Sequence, residues 1–255
     1  MTMRPQLRLS AVVTTFNNAD TIEACLASLL FCDEIVVLDS GSNDGTRAIA
    51  ERLGARVIVE TFKGYSAQKQ SAIDHASNEW IVLLDSDEWL DAEAQQAIRD
   101  ALVRPIRAGY ELGRREWLFW RWQAVRSSHN RYLRLFDRRR ARMSTQRVHE
   151  RVVADGEVDR LDGILWHCGD HDIAAKVEKG NRYSSLQVED RKNTKIAFLR
   201  LRMVAYPAFA FMRYYLLRGH WRAGWAGYIA AQLHAFYAFQ KYAKIYEARL
   251  ADRDH

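Results

Sequence analysis

From residue 7 to residue 103, short apolar runs alternate with stretches whose apolar positions recur every three or four residues. Leu7 to Thr15, Glu34 to Asp39, Arg56 to Val59 and Trp80 to Asp85 read as strands. Ile22 to Leu30, Thr46 to Leu53, Gln68 to Ala76 and Ala92 to Val103 read as helices. Ile35-Val-Val-Leu and Ile81-Val-Leu-Leu are apolar without alternation, as central parallel strands covered on both faces must be, so an α/β, doubly wound, Rossmann-like sheet is predicted. Ligands of such sheets bind beyond the carboxyl ends of the strands, which points to the loops Thr14 to Asn18, Asp39 to Gly45 and Asp85 to Glu88. After Pro105 the rhythm changes to arginine-rich, β-prone segments such as Tyr132-Leu-Arg-Leu-Phe, and from about Ile173 to helical patterns. The expected organisation is one domain over 1–172, with a ligand-binding half 1–103 and an α+β half 104–172, followed by a helical segment 173–255.

At 255 residues and 48% hydrophobic content the chain can bury a proper core, which excludes disorder as its main state. Cys25, Cys32 and Cys168 have no CxxC or zinc spacing, so packed thiols in a reducing compartment are expected rather than a disulfide framework. The N-terminus lacks a signal-peptide pattern, and the most apolar stretch, Ala223 to Phe239, is interrupted by Gly, Gln232 and His234. A cytoplasmic chain without a span is therefore predicted, with a helix lying on the membrane still open.

Charge is unevenly distributed: residues 1–103 sum to −8, 104–151 to +10, 152–195 to −2 and 196–255 to +6. An acidic sheet half suits a metal or sugar site, and the basic remainder suits an anionic partner. The run Arg138-Arg-Arg-Ala-Arg142 and a pI near 9.3 raise nucleic-acid binding as an alternative, but no recognised nucleic-acid module accompanies them, so no nucleic-acid partner is expected. A nucleotidyltransferase would need a Gly-rich basic loop after the first strand, where this chain has Thr14-Thr-Phe-Asn-Asn. A membrane-bound scaffold would leave the acidic loops without a task.

Asp85-Ser86-Asp87 follows an apolar strand, so its carboxylates are held at a strand end where they can meet a hard divalent cation. In Ile35-Val-Val-Leu-Asp39-Ser-Gly-Ser-Asn-Asp44-Gly-Thr46 a second strand ends in an Asp, and a turn needing Gly41 and Gly45 leads to a helix capped by Asp44. A tight turn explains the glycines and Asp44; Asp39 is left able to accept from a base N–H.

These motifs, with Gly64-Tyr-Ser-Ala-Gln-Lys69-Gln and Asp85-Ser-Asp87-Glu88 in the same order, resemble those of family 2 inverting glycosyltransferases of the GT-A fold. Arg134-Leu-Phe, Val148-His149-Glu150, Leu165-Trp-His167 and Lys241-Tyr-Ala-Lys-Ile-Tyr extend the resemblance to the lipopolysaccharide-core heptose β-1,4-glucosyltransferase branch. Two departures stand out: Asn18 replaces a Glu usual in that branch, and the turn near residue 220 reads His220-Trp-Arg-Ala-Gly224.

The resemblance implies metal-dependent hexose transfer with inversion, from a UDP-sugar donor (UDP-glucose) to a lipid-linked anionic saccharide acceptor, the inner-core heptose of lipopolysaccharide. Alternatives within the family are a polyprenyl phosphate, another glycan or a protein as acceptor. It also implies that Asp39 reads the uracil, that Thr14, Thr15 and Asn17 line the same pocket, and that Lys69, beside Gly64, faces the donor phosphates together with Ser86. Mg2+ or Mn2+ would be held by Asp87 directly and Asp85 through water, with His167 as a nitrogen ligand. Glu150 is the expected base, oriented by His149, with Asp137 as the fallback. Of the aromatic run Trp117 to Trp122 at most one ring is expected to stack on sugar. The last 60 residues carry Arg200, Arg202, Arg213, Arg218 and Arg222 with several aromatics, which suits an anionic membrane surface as peripheral partner and equally a helical layer packed on the sheet or on a second subunit.

Overall fold

Alternate faces of each apolar strand are covered by different helices, which is why the runs show no polar alternation. The structure is a computed structural model that describes residues 7–144, 150–169, 172–191 and 196–251. Strands β1 (Leu9–Thr15), β2 (Glu34–Asp39), β3 (Arg56–Val59) and β4 (Trp80–Asp85) are parallel, in the order β3-β2-β1-β4. The connecting helices are α1 (Ala19–Ala27), α2 (Thr46–Arg52) and α3 (Tyr65–Asp74). On one face Val13, Val37, Val82 and Leu84 pack with Ile22 and Leu26 of α1; on the other Val12, Val36, Leu38, Ile81 and Leu83 pack with Ala72 and Ile73 of α3. Each of the Val, Leu and Ile side chains among them, fully buried, contributes about 1.5–3 kcal/mol.

The chain continues through β5 (Glu88–Leu90), α4 (Ala92–Val103), β6 (Gly109–Leu118), β7 (Arg121–Trp122), β8 (Asn130–Asp137), β9 (Ala141–Met143), β10 (Val152–Ala154) and β11 (Val158–His167). The sheet extends past β4 as β8-β6-β11-β5, so the parallel half gains an antiparallel wing; β9 and β10 form a separate pair. Asp91 caps α4, accepting from the Ala94 N–H at 2.8 Å, and its second oxygen accepts from the Ile164 N–H at 3.1 Å. One carboxylate thereby fixes both the helix start and the approach of β11.

At the end of the sheet opposite the ligand loops, Glu34 accepts from Ser10 Oγ (2.6 Å), Ser77 N (2.8 Å) and Arg56 (2.7 Å). Burial works against its charge, but these donors prevail and hold the carboxyl down at about 2. Because the folded value lies below the unfolded one, its stabilisation is complete above about pH 4.5 and is lost as pH falls toward 2. The expected result is that Glu34→Gln lowers Tm at pH 7, and that its Tm deficit shrinks steadily in melts taken between pH 5 and pH 3. A constant deficit would deny Glu34 this role.

The chain divides into two units, one comprising residues 1–115 and 130–169, the other residues 116–129 and 170–255. The second contains α5 (Ile173–Arg191), α6 (Leu199–Met212), a π-helical turn Arg213–Leu217, a 3-10 turn His220–Ala223 and α7 (Gly224–Ala251). α7 packs on α5 and α6, and Leu118 and Phe119 pack on its Ala226 and Ala230. Segment 116–129, read from sequence as part of the α+β half, thus groups with the helices. Trp117 and Trp122 meet edge to face across the β6–β7 pair, with ring centroids 5.0 Å apart, Phe119 is buried, and Trp120 is the exposed ring of the run.

Candidate functional site

The carboxyl ends of β1, β2 and β4 lie side by side because the strands are parallel and in register: Thr14 pairs with Asp85, and Thr15 with Asp39. Their loops are laced together by short polar side chains. The Asn17 N–H donates to Ser42 Oγ at 2.8 Å while Asn17 Oδ1 accepts from the Asn43 N–H at 3.0 Å, a crossing that holds Asn17 at a φ of 52°. The Asn18 N–H donates to Thr46 Oγ1 at 2.9 Å, and Asn18 Oδ1 accepts from the Ser86 hydroxyl at 2.8 Å. Asn18, the departure noted in the sequence, therefore ties the first loop to the Asp85–Asp87 loop.

Asp39 is fully buried and turns back on its own loop, accepting from the N–H groups of Gly41 (3.0 Å) and Ser42 (2.8 Å) and from the Ser42 hydroxyl. The turn, which the sequence reading credited only with the glycines and Asp44, thus accounts for Asp39 as well. Gly41 and Gly45 adopt the positive φ expected of them. Gly64 likewise owes its identity to backbone geometry, with φ +97°, and its missing side chain opens on empty space ahead of α3.

Lys69 leaves α3 almost fully buried, and its ammonium lies 2.7 Å from Asp85 Oδ1 and 3.3 Å from Glu150 Oε1. Burial opposes the charge on Lys69, but the carboxylates outweigh it and raise the ammonium above its ordinary value. Asp85 is likewise opposed by burial and held well below the carboxylate range by Lys69 and Arg134. The sequence reading placed Lys69 against the donor phosphates; in the structure it joins the strand-end loop to Glu150. His149, expected to orient Glu150, lies outside the described residues. Asp137 pairs with Trp80 at the opposite end of β4 and is clamped by Arg139, which puts it about 16 Å along the strand from Asp85. It is therefore no substitute for Glu150.

Beneath the loop is a charged layer that the motifs did not reveal. Glu88 is fully buried; its Oε1 accepts from Arg134 (2.6 Å) and Arg114 (3.1 Å), and its Oε2 accepts from the Asp85 N–H (3.1 Å). Arg134 also reaches Asp85 Oδ2 at 3.3 Å, and the Arg114 guanidinium stacks 4.2 Å over the Tyr132 ring. An arginine inside the apolar strand Tyr132-Leu-Arg-Leu-Phe was the one available sequence signal for this layer. Cys25 packs under it, 3.6 Å from the Asp85 carbonyl oxygen, and burial pushes its thiol up, as fits a packed group.

The β5–β11 register sets His167 opposite Glu88 and so brings it to the neighbouring Asp87, with His167 Nε2 at 3.4 Å from Asp87 Oδ2. A Cβ on residue 169 would lie 2.4 Å from His167 Nε2 and 3.1 Å from Asp87 Oδ2, so Gly169 is what lets these two groups stand together. One carboxylate and one imidazole at this separation fit the protein share of a hard divalent ion that takes its remaining ligands from diphosphate and water. Both Asp85 oxygens are engaged by Lys69 and Arg134, so the fitting pair is Asp87 and His167, with Asp85 set behind them. Among the described residues no set of three or more His, Cys, Asp or Glu is arranged to hold an ion.

A strand-end carboxylate loop beyond the parallel strands of an α/β sheet is where ligands of such sheets bind. Residues 10–153 match the model of glycosyl transferase family 2, and the chain belongs to that family. The lipopolysaccharide core biosynthesis glycosyltransferase LpsC of Rhizobium meliloti is 33% identical over 258 residues, spanning 96% of this chain and 94% of that protein. A glycosyltransferase of Rickettsia typhi, RT0209, is 28% identical over 97% of this chain and 89% of its own length. Among solved structures, the mannosyltransferase PcManGT from Pyrobaculum calidifontis, in complex with GDP-Man and Mn2+, superposes over 97% of this chain and 88% of its own with a TM-score of 0.55 at 17% identity. That likeness shows the fold, which is of the GT-A type.

Proposed function

We propose that this glycosyltransferase moves glucose from UDP-glucose, with inversion, onto a heptose of the lipopolysaccharide inner core. The similarity to LpsC along nearly the whole of both chains supports the core saccharide as acceptor. The observation that carries the chemistry is the Lys69 ammonium between Asp85 and Glu150, because it brings the donor-side loop and the base into one site.

The division of labour follows from the contacts. The laced loops of Thr14, Thr15, Asn17 and Asp39 form a rigid floor for the nucleotide. Asp87 and His167 would hold Mg2+ or Mn2+, and an ion bound there would supply positive charge to offset the diphosphate of departing UDP. Lys69 and Arg134 keep Asp85 ionised and fixed, and Lys69 keeps Glu150 in position. Glu150 takes the proton of the acceptor hydroxyl as that oxygen attacks the anomeric carbon from the face opposite UDP, so the C–O bond to UDP breaks as the new one forms.

Glu150→Gln tests this. It keeps the side-chain shape but removes the base, so kcat should fall by about 10²-fold or more while the KM for UDP-glucose changes little. Near-normal kcat would remove Glu150 from the mechanism.

A further inference from the structure

Helix α6, Leu199-Arg-Leu-Arg-Met-Val-Ala-Tyr-Pro-Ala-Phe-Ala-Phe-Met212, is composed like a core helix, yet Leu199 is its one buried residue. Leu201, Val204, Ala208 and Met212, spaced at helical intervals, all face solvent. Exposed apolar residues continue through the turns that follow and into the start of α7: Leu217 is 76% and Trp225 75% exposed, with Leu216 and Trp221 also outside. Isolated exposed apolar residues need no explanation, but a continuous stripe of this length does.

Its charge identifies what covers it. From Ile196 to Tyr246 the chain has no Asp or Glu and seven cations, among them Arg213, Arg218 and Arg222 beside the apolar tip. The Arg222 guanidinium lies 4.4 Å over Trp221 and that of Arg218 5.1 Å over Tyr214, so charge and ring are presented together. Among the described residues no helix is long and apolar enough to cross a membrane. Between Ile196 and Tyr246 there is no carboxylate to receive these arginines, so a second copy docked through this same segment would set cations against cations. An anionic bilayer supplies both complements, lipid phosphate for arginine and the acyl boundary for leucine and tryptophan.

We propose that the outward face of α6 and the turns after it docks on an anionic lipid surface, with Leu217, Trp221 and Trp225 inserted below the headgroups and Arg213, Arg218 and Arg222 on the lipid phosphates. The docking is independent of the donor chemistry proposed above and concerns only the helical unit.

Flotation of the full chain with phosphatidylcholine vesicles, with and without phosphatidylglycerol, tests this. The protein should float only with the anionic vesicles, and less in high salt. Leu217→Ser and Trp225→Ser should each weaken partitioning by about 10-fold or more, and the triple change of Arg213, Arg218 and Arg222 to Gln by about 100-fold. Circular dichroism and UDP binding in the same preparations should match the parent, since Arg213, Leu217, Arg222 and Trp225 are exposed and Arg218 is half-buried at the surface. Equal flotation with neutral vesicles, no flotation, or a vesicle-free dimer dispersed by Leu217→Ser would each overturn the proposal. Flotation without UDP binding would leave it standing and defeat the transferase reading instead.

Discussion

Asp87→Ala should lower kcat/KM by at least about 10³-fold without a measurable change in Tm. Stabilisation of a leaving diphosphate by a divalent ion is worth several kcal/mol, and each 1.36 kcal/mol is tenfold in rate. Asp87 supplies the carboxylate of the fitting pair, and it lies in a loop beyond the end of β4, so its loss opens no cavity in the core. Calorimetric titration of Mn2+ in the presence of UDP should show heat for the parent and none for Asp87→Ala, and EDTA should silence the parent. Full turnover in EDTA would remove the ion from the reaction, and normal Mn2+ heat in the variant would move its ligands elsewhere.

Arg134→Met should cost about 3–5 kcal/mol, which in a chain of this size lowers Tm by roughly 6 °C or more. Glu88 has no exposure, and removing Arg134 leaves its charge with Arg114 and one N–H, while Asp85 keeps only Lys69 of its two cations. Removing one member of a buried pair is costlier than replacing both, so Glu88→Gln combined with Arg134→Met should recover part of the loss. Thermal melts of the two single variants and the double variant give the coupling directly. Strict additivity would mean that the two side chains do not stabilise one another.

The parallel half of the fold was legible because its strands are uninterrupted apolar runs: β2, β3 and β4 fall where the pattern puts them. Helix α3 begins at Tyr65 rather than Gln68 because the backbone enters the helix directly from Gly64, while Tyr65 and Ser66 carry no apolar periodicity to announce it. The antiparallel wing was read only as β-prone, since its pairing depends on contacts between distant residues. His167 meets Asp87 through the register of β5 on β11, and Lys69 meets Glu150 across an interval of eighty-one residues, neither of which a local pattern encodes. Glu88 was visible as part of a motif, but its burial was not, because an acid beside two others reads as solvated. The three donors that Asp39 receives from its own turn were not legible either, because they come from how the chain folds back after β2.

The order of strands in the sheet also bears on how the chain is made. β1, β2, β3 and β4 can assemble as soon as residue 85 is free, but the outer side of β4 is closed only by Leu135–Asp137 of β8. At about 5–20 residues per second, synthesis leaves that side open for roughly two and a half to ten seconds. During that interval Trp80-Ile-Val-Leu-Leu is an apolar strand with unpaired N–H and C=O groups, ready to add a strand from another nascent chain. Yield on overexpression should therefore depend on translation rate and on chaperones that cover nascent edges, even though the finished sheet leaves β4 paired on both sides.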